Sequence, residues 1–238
     1  MKAAICNEPT PILLIPGLLG SPRVYADQIP QLWRLGPVTV ADHTRDDSMS
    51  AIARRILASA PPCFALIGIS MGGYISFEIL RQAPERVAKL ALLDTSARPD
   101  TAERSEARRA QIALAKSGNL AEILEADFSQ LVHPRRRSDE RLRQALHQMA
   151  TEAGVDTFVR QQLANISRPD SRPGLSSIRC PTLVLVGDSD ELTPPERAAE
   201  IANGITRARL VTVPESGHCS TLEQPEFVTR ALLEFLPG

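Results

Sequence analysis

The sequence predicts an α/β protein whose mostly parallel, doubly wound sheet is interrupted by an all-helical insertion. Three observations support this: short runs rich in Val, Ile and Leu, helical patterns that alternate with them, and a central stretch without any strand-like run. Continuous apolar runs are typical of strands that are buried on both faces, as in a parallel sheet covered by helices. A chain of 238 residues is long enough for one such domain with an insertion.

Six strands follow from the order of the apolar runs. The first four predicted strands are PILLI, VTVA, CFALIGI and VAKLALLD, and helices are expected in SPRVYADQIPQLWRL, in SMSAIARRILASA and from the third strand to about Ala83. The alternation resumes with TLVLVGD, a helix from about Pro195 to Ala202, ARLVTV and a final helix in EFVTRALLEFL. This order predicts parallel strands joined by helical crossovers.

The stretch between the fourth and fifth strands has a different character. Residues 96–178 are rich in Ala, Leu, Glu, Gln and Arg, and Gly118, Pro134, Gly154 and Pro169 divide them into four expected short helices. An insertion between two strands emerges at one edge of the sheet, so we expect it to fold over the strand ends. The predicted units are therefore a core domain of residues 1–95 and 179–238 and a helical cap of residues 96–178.

Charge and targeting signals exclude several classes of function. A net charge of −1 and a pI near 6.4 give no support for a nucleic-acid partner. The first apolar run ends at Pro16 and is too short for a signal peptide or a stable membrane insertion, so we expect a cytoplasmic protein. The four cysteines show no metal-ligand spacing, which predicts reduced thiols and no metal site.

A serine lies where the third strand gives way to a helix, in the sequence GISMGG. Ser70 is flanked by Gly68 and Gly72, and a nucleophile held on a sharp strand-to-helix turn needs small residues at these two positions. The turn would expose the hydroxyl at the carboxyl edge of the sheet, with the positive end of the next helix beside it. Ser70 is therefore the candidate nucleophile.

A serine hydroxyl needs a base at neutral pH, and only four histidines are present. His218 follows the last predicted strand and so lies on the same sheet edge as Ser70, whereas His133 and His147 belong to the insertion. His218 is the candidate base. His43 follows an earlier strand at that edge and remains the alternative.

The imidazole in turn needs a carboxylate that fixes its tautomer and stabilises its charged form. The loop after the fifth strand supplies Asp188, Asp190 and Glu191, and Asp190 is the candidate because the loop can turn there toward His218. Asp188 is expected to form the turn through its own side chain. Asp94, at the end of the fourth strand, is a further candidate for which a structural role is favoured.

These residues and their surroundings resemble the α/β-hydrolase fold superfamily, in particular its compact bacterial esterase-like members with a helical cap. The blocks LIPGLLGS, GISMGG, LALLDTS, PTLVLVGDSDELTPP and PESGHCSTLEQPEFV occur in that family's order and span nearly the whole chain. The resemblance implies a Ser70, Asp190 and His218 triad, with an oxyanion hole formed by the N–H groups of Leu18 and Met71. Because so few residues precede the first strand, it also implies a sheet of six or seven strands with a truncated or missing N-terminal hairpin.

The resemblance implies a serine hydrolase that cleaves small carboxylic esters without a cofactor, as a monomer or homodimer. Lactonase or carbon–carbon bond hydrolase activity is an alternative on the same fold. A receptor that binds a small ligand with a slow or silent triad is an alternative of another class. The basic run from Arg135 to Arg137 is expected to be a solvated face rather than a site that attracts carboxylated substrates.

Overall fold

The computed structural model describes residues 9–237, which contain one sheet of six parallel strands. The strands are β1 (Ile12–Ile15), β2 (Val38–Val40), β3 (Phe64–Ile69), β4 (Val87–Leu93), β5 (Thr182–Gly187) and β6 (Ala208–Val213). Their order across the sheet is β2-β1-β3-β4-β5-β6, and each neighbouring pair is parallel. The predicted fold class is confirmed. The prediction about an N-terminal hairpin falls partly on residues 1–8, which lie outside the described residues.

Nine α-helices lie within residues 9–237. They are α1 (Ile29–Leu32), α2 (Met49–Ser59), α3 (Met71–Gln82), α4 (Ala102–Lys116), α5 (Leu120–Leu131), α6 (Glu140–Ile166), α7 (Pro195–Gly204), α8 (Ser220–Glu223) and α9 (Pro225–Phe235). The first predicted helix is instead a 3-10 turn at Pro22–Tyr25 followed by the single turn of α1. Pro30 explains the division, because proline lacks the N–H that a continuous helix needs and fits only in a first turn.

Both faces of the sheet are buried, as the continuous apolar runs predict. Along β1, Leu13 and Ile15 face a core shared with α2, α3 and α7, while Ile12 and Leu14 face a second core shared with α1 and α9. All four side chains are at most 2% exposed. Full burial of each side chain contributes about 1.5–3 kcal/mol to the stability of the fold. The centre of the sheet therefore holds the residues that follow its strands in fixed positions.

The segment between β4 and β5 is helical throughout its ordered elements, α4, α5 and α6. Gly154 has a φ of 78° and divides α6 into two helical pieces, so the segment contains four α-helical pieces, besides 3-10 turns at Pro134–Arg136 and Arg172–Ser177. The two ends of the segment meet, because the Ser171 N–H donates to the Ala97 carbonyl oxygen at 2.8 Å. The buried carboxylate of Asp100 lies 2.6 Å from both Arg108 and Arg168, which fixes the start of the segment to its end.

One expectation about the cysteines is wrong. Cys63 is disulfide-bonded, whereas the sequence predicted reduced thiols. Sequence spacing does not report which thiols approach one another in the fold, which is why the pattern gave no signal. Cys180 and Cys219 are free, and Cys6 lies outside the described residues. Disulfides persist mainly in oxidising compartments, so the bond at Cys63 does not support a cytoplasmic location. That location stays a prediction.

No helix within residues 9–237 combines the length and the apolar character that a bilayer span requires.

Candidate active site

The turn between β3 and α3 holds Ser70 in a strained backbone conformation, with φ 54° and ψ −116°. A Cβ on Gly68 would lie 2.4 Å from the Gly72 carbonyl oxygen, so no larger residue fits. A Cβ on Gly72 would lie 2.1 Å from the Ile15 carbonyl oxygen. The sequence predicted that both glycines relieve crowding within the turn itself. For Gly72 the neighbour is instead strand β1, against which α3 packs at its first turn.

The three side chains proposed from the sequence meet at the carboxyl edge of the sheet. The Nε2 atom of His218 lies 2.7 Å from Ser70 Oγ, and its Nδ1 atom lies 2.8 Å from Asp190 Oδ2. Ser70 follows β3, Asp190 follows β5 and His218 follows β6. Parallel strands end at the same edge, which is how residues up to 148 positions apart come into hydrogen-bond contact. The arrangement can pass a proton from the hydroxyl to the imidazole.

Asp190 is prepared as an ionised acceptor. Its Oδ1 accepts the N–H groups of Leu192 and Thr193, both at 2.9 Å, and its Oδ2 also accepts the Thr193 hydroxyl at 2.8 Å. Burial alone would raise the pKa of Asp190. The charge and hydrogen bond of His218, together with the donors from Thr193, nevertheless hold this pKa below its usual value.

The contact with Asp190 shifts the pKa of His218 in the opposite direction. Burial alone would lower the pKa of His218, but the charge and hydrogen bond of Asp190 raise it above its usual 6.5. A raised pKa helps the imidazole to accept the hydroxyl proton, and the imidazolium can then return that proton to a leaving group.

The structure places the two other candidate carboxylates elsewhere. Asp188 accepts the N–H groups of Glu215 and Ser216 at 2.9 and 3.2 Å, so it braces the loop that carries His218 rather than only its own turn. Asp94 is fully buried and bonds the Gly187 N–H at 3.0 Å and the Ser220 hydroxyl at 2.5 Å. Burial and the Asp190 charge raise the pKa of Asp94 to about 8, so it holds a proton at neutral pH.

The proposed oxyanion donors open onto the space in front of Ser70. Leu18 and Met71 line the same cavity as Ser70 and His218. Met71 is the first residue of α3, so its N–H has no carbonyl acceptor one helical turn earlier. In the described part of the chain, the Leu18 N–H has no hydrogen-bond acceptor. Both amides are therefore available to a negative oxygen near Ser70.

Two buried side chains hold the loop that carries Leu18, a role that the sequence analysis assigned to neither. His43 Nε2 lies 2.8 Å from the Gly17 carbonyl oxygen, and burial lowers its pKa, so it is neutral and donates. Gln161, fully buried on α6, accepts the Leu19 N–H at 2.8 Å. Leu19 itself has a positive φ of 55°. His43, the alternative base, thus contacts the loop and not Ser70.

A third unassigned side chain holds the loop of His218. Glu223 lies in α8 and is 3% exposed; its Oε1 accepts the Gly217 N–H at 2.8 Å, and its Oε2 accepts the His133 N–H at 2.6 Å. The His218 N–H donates to the Leu131 carbonyl oxygen at the end of α5. The loop that carries His218 and the helical segment are therefore joined through hydrogen bonds.

A cavity of about 450 Å³ lies between the sheet edge and the helical segment. Ser70, His218, Leu18 and Met71 form its floor. The helical segment supplies an apolar part of the wall, which includes Leu124, Phe128, Leu131, Leu146, Met149 and Phe158, and a polar part, which includes Arg104, Arg108, Gln111, Asp127, Gln162 and Asn165. A small organic molecule fits a cavity of this size.

The basic run forms ion pairs at the surface. Arg135 pairs with Glu215, Arg136 lies 2.7 Å from Asp139, and Arg137 lies 2.9 Å from Glu191. None of the three arginines lines the cavity. This agrees with the expectation of a solvated face.

Comparisons with known proteins identify the family. A profile described as alpha/beta hydrolase fold matches residues 37–225. The chain is 28% identical over 249 residues to a putative carbamate hydrolase, RutD, of Pseudomonas savastanoi, covering 94% of this chain and 93% of that protein. It is 23% identical over 244 residues to a pimeloyl-[acyl-carrier protein] methyl ester esterase of Neisseria meningitidis, covering 95% and 93% of the two chains.

Solved structures agree with this result. A thermophilic esterase from Thermogutta terrifontis, solved with malate bound, superimposes with a TM-score of 0.87 at 31% identity, covering 95% of this chain and 89% of that one. The profile covers more than half of the chain, and the three relatives described above are named as a hydrolase or an esterase. The chain therefore belongs to the α/β-hydrolase family.

Proposed function

We propose that this protein is a serine hydrolase that cleaves small carboxylic esters through Ser70, His218 and Asp190. The observation that carries the proposal is the pair of contacts made by one imidazole, at 2.7 Å to Ser70 Oγ and at 2.8 Å to Asp190 Oδ2. The similarity to an esterase at 31% identity supports the ester bond as the target.

In the proposed reaction, Ser70 Oγ attacks the ester carbonyl carbon while His218 Nε2 takes the hydroxyl proton. Asp190 stabilises the resulting imidazolium through Nδ1. The N–H groups of Leu18 and Met71 donate to the oxyanion of the tetrahedral intermediate. The intermediate collapses to an acyl-enzyme as His218 returns the proton to the leaving alcohol oxygen. Water, deprotonated by His218, then releases the acid.

The division of the chain into two units is part of the proposal. The core, residues 1–95 and 179–238, supplies the reacting groups, and the cap, residues 96–178, roofs the cavity. The cavity wall contributed by α4, α5 and α6 supports this role, because it leaves only a small space above Ser70. The proposed substrate is accordingly a small ester rather than a polymer.

The test is a panel of p-nitrophenyl esters with acyl chains of increasing length, assayed with the wild type and Ser70→Ala. Removal of a triad nucleophile lowers turnover by roughly a millionfold, so Ser70→Ala should show no activity above background. Ser59→Ala, at the end of α2 and away from the cavity, is the matched control and should retain full activity.

Two outcomes would contradict the proposal. Hydrolysis that survives in Ser70→Ala would show that another group performs the chemistry. Tight stoichiometric binding of the ester without multiple turnovers would favour the receptor alternative.

A further inference from the structure

Arg104 is a cation in the cavity wall without a carboxylate partner. It lies in the first turn of α4, is exposed, and lines the same cavity as Ser70 and His218. Its Nη1 donates to the Leu192 carbonyl oxygen at 3.4 Å, a long hydrogen bond to a neutral group. Across residues 9–237, no carboxylate lies within ion-pair distance of this guanidinium.

Two other charged groups of the wall are neutralised by near neighbours. Arg108 lies 2.6 Å from the fully buried carboxylate of Asp100 and also donates to Gln162 at 2.5 Å. Glu191 lies 2.9 Å from Arg137. Arg104 is thus the arginine of the wall whose donors remain available to a ligand.

Asp127 is the competing candidate for recognition of a charged group. Its carboxylate accepts the Gln111 amide at 3.2 Å, and burial raises its pKa despite that hydrogen bond and the nearby Arg108. A carboxyl group whose neutral form is favoured by burial attracts a cation only weakly. The wall therefore favours an anionic group at Arg104 over a cationic group at Asp127.

The position of Arg104 indicates which end of an ester would carry the charge. Leu192, its hydrogen-bond partner, is two residues from Asp190, so the guanidinium lies on the side of the cavity where His218 is held. Arg104 is also close enough to His218 to oppose the rise in the histidine pKa. His218 must protonate the leaving alcohol, so the alcohol portion lies on that side as well.

We propose that the preferred substrates are esters whose alcohol portion carries a carboxylate, which the Arg104 guanidinium binds while Ser70 attacks the ester carbonyl. This inference rests on the proposed ester hydrolysis and adds its substrate class. A guanidinium suits the role because it presents two parallel N–H donors to a carboxylate and stays charged at every relevant pH.

The test uses two matched pairs of substrates. In the first pair, acetoxyacetate carries the charge on the alcohol portion and acetoxyacetamide is its neutral analogue. In the second pair, monomethyl succinate carries the charge on the acyl portion and methyl succinamate is neutral. For each pair, the ratio of kcat/KM for the charged ester to that for the neutral ester is measured in the wild type and in Arg104→Gln. Intrinsic reactivity cancels when the two proteins are compared.

We expect Arg104→Gln to lower the ratio for the alcohol-side pair by about tenfold or more, the value of one charge-assisted contact. Arg104→Lys should lose less, because the charge remains while the paired donors do not. Arg109→Gln is the matched control: Arg109 lies on the same helix, pairs with Glu106 and does not line the cavity. It should leave both ratios unchanged.

An alcohol-side ratio that is equal in the wild type and Arg104→Gln would overturn the proposal. A larger change in the acyl-side pair would overturn the placement of the charge. Calorimetric titration of acetoxyacetate into Ser70→Ala and into the Ser70→Ala, Arg104→Gln double variant separates this inference from the proposed function. Absence of any ester hydrolysis would defeat the function alone, whereas equal affinity in the two variants would defeat the carboxylate site.

Discussion

Replacement of Gln161 by methionine should uncouple the loop that carries Leu18 from the helical segment. Methionine has nearly the same volume, so the change opens no cavity, but it removes the acceptor of the Leu19 N–H, a buried hydrogen bond of 2.8 Å. A buried donor left without an acceptor costs about 1–3 kcal/mol. The bond from the Gln161 amide to the His43 carbonyl oxygen is 3.4 Å long and adds little.

Two measurements follow from that estimate. The free energy of unfolding should fall by about 1–3 kcal/mol, and because one kcal/mol shifts Tm by about 2–4 °C at this chain length, Tm should fall by roughly 2–12 °C. A displaced loop also moves the Leu18 N–H away from the oxyanion. Loss of one such donor lowers kcat by about a hundred- to a thousandfold, so a partial displacement should lower kcat for p-nitrophenyl acetate by about tenfold or more with little change in KM.

Gln148→Met is the matched control, because Gln148 lies on the same helix, is exposed and bonds only the neighbouring Glu152 side chain. Surface changes of this kind usually alter stability by less than about 0.5 kcal/mol. If Gln161→Met has the same free energy of unfolding and the same kcat as Gln148→Met, then the hydrogen bond to Leu19 does not hold the loop and the reasoning is wrong.

Three further predictions concern the sheet edge. Gly72→Ala should destabilise the fold by about 3 kcal/mol or more in urea titrations, since its methyl group would meet the rigid Ile15 carbonyl oxygen at 2.1 Å, whereas Gly174→Ala, in open space, should be tolerated. The kcat/KM of a neutral ester should fall as pH drops through a pKa above 6.5, because protonated His218 cannot accept a proton; a limb below that value would contradict the assignment. The pKa of Asp94 is about 8 in the folded protein and near 3.8 in the unfolded chain. Between these two pH values only the folded protein holds this proton, so the contribution of Asp94 to stability falls as pH rises. Asp94→Asn should therefore gain stability relative to the wild type from pH 5 to pH 8, and a parallel pH dependence of the two proteins would refute this.

The sheet and the turn that carries Ser70 could be predicted because their signals are local. A run such as FALIGI is apolar on both faces only if the strand is buried on both faces, and the structure places it at the centre of the sheet. The glycines around Ser70 also report a local backbone requirement, although only the structure shows that Gly72 faces β1. Strand order and the shared carboxyl edge then brought Asp190 and His218 into consideration.

The supporting residues could not be predicted, because their roles depend on contacts between distant parts of the chain. Gln161 is 142 positions from its partner Leu19, and His43 is 26 positions from Gly17. In the sequence, Gln161 is one of many polar residues in a helical pattern, and only its burial distinguishes it. Glu223 gives no signal either, because a glutamate in the first turns of a helix is ordinarily explained by the helix dipole.

The disulfide at Cys63 was missed for a similar reason. Cysteine spacing in the sequence gives no rule for which thiols pair in the fold, and it led to the expectation of reduced thiols.

The helical segment that roofs the cavity leaves the sheet and returns to it at one point, where a backbone hydrogen bond joins Ala97 and Ser171. A foreign helical hairpin spliced between those two positions would keep this anchor, but it would lose the contact of Gln161 with Leu19 and the contact of Leu131 with His218. Because one contiguous cassette both walls the cavity and holds the loops beside Ser70, its exchange would alter selectivity and reactivity together.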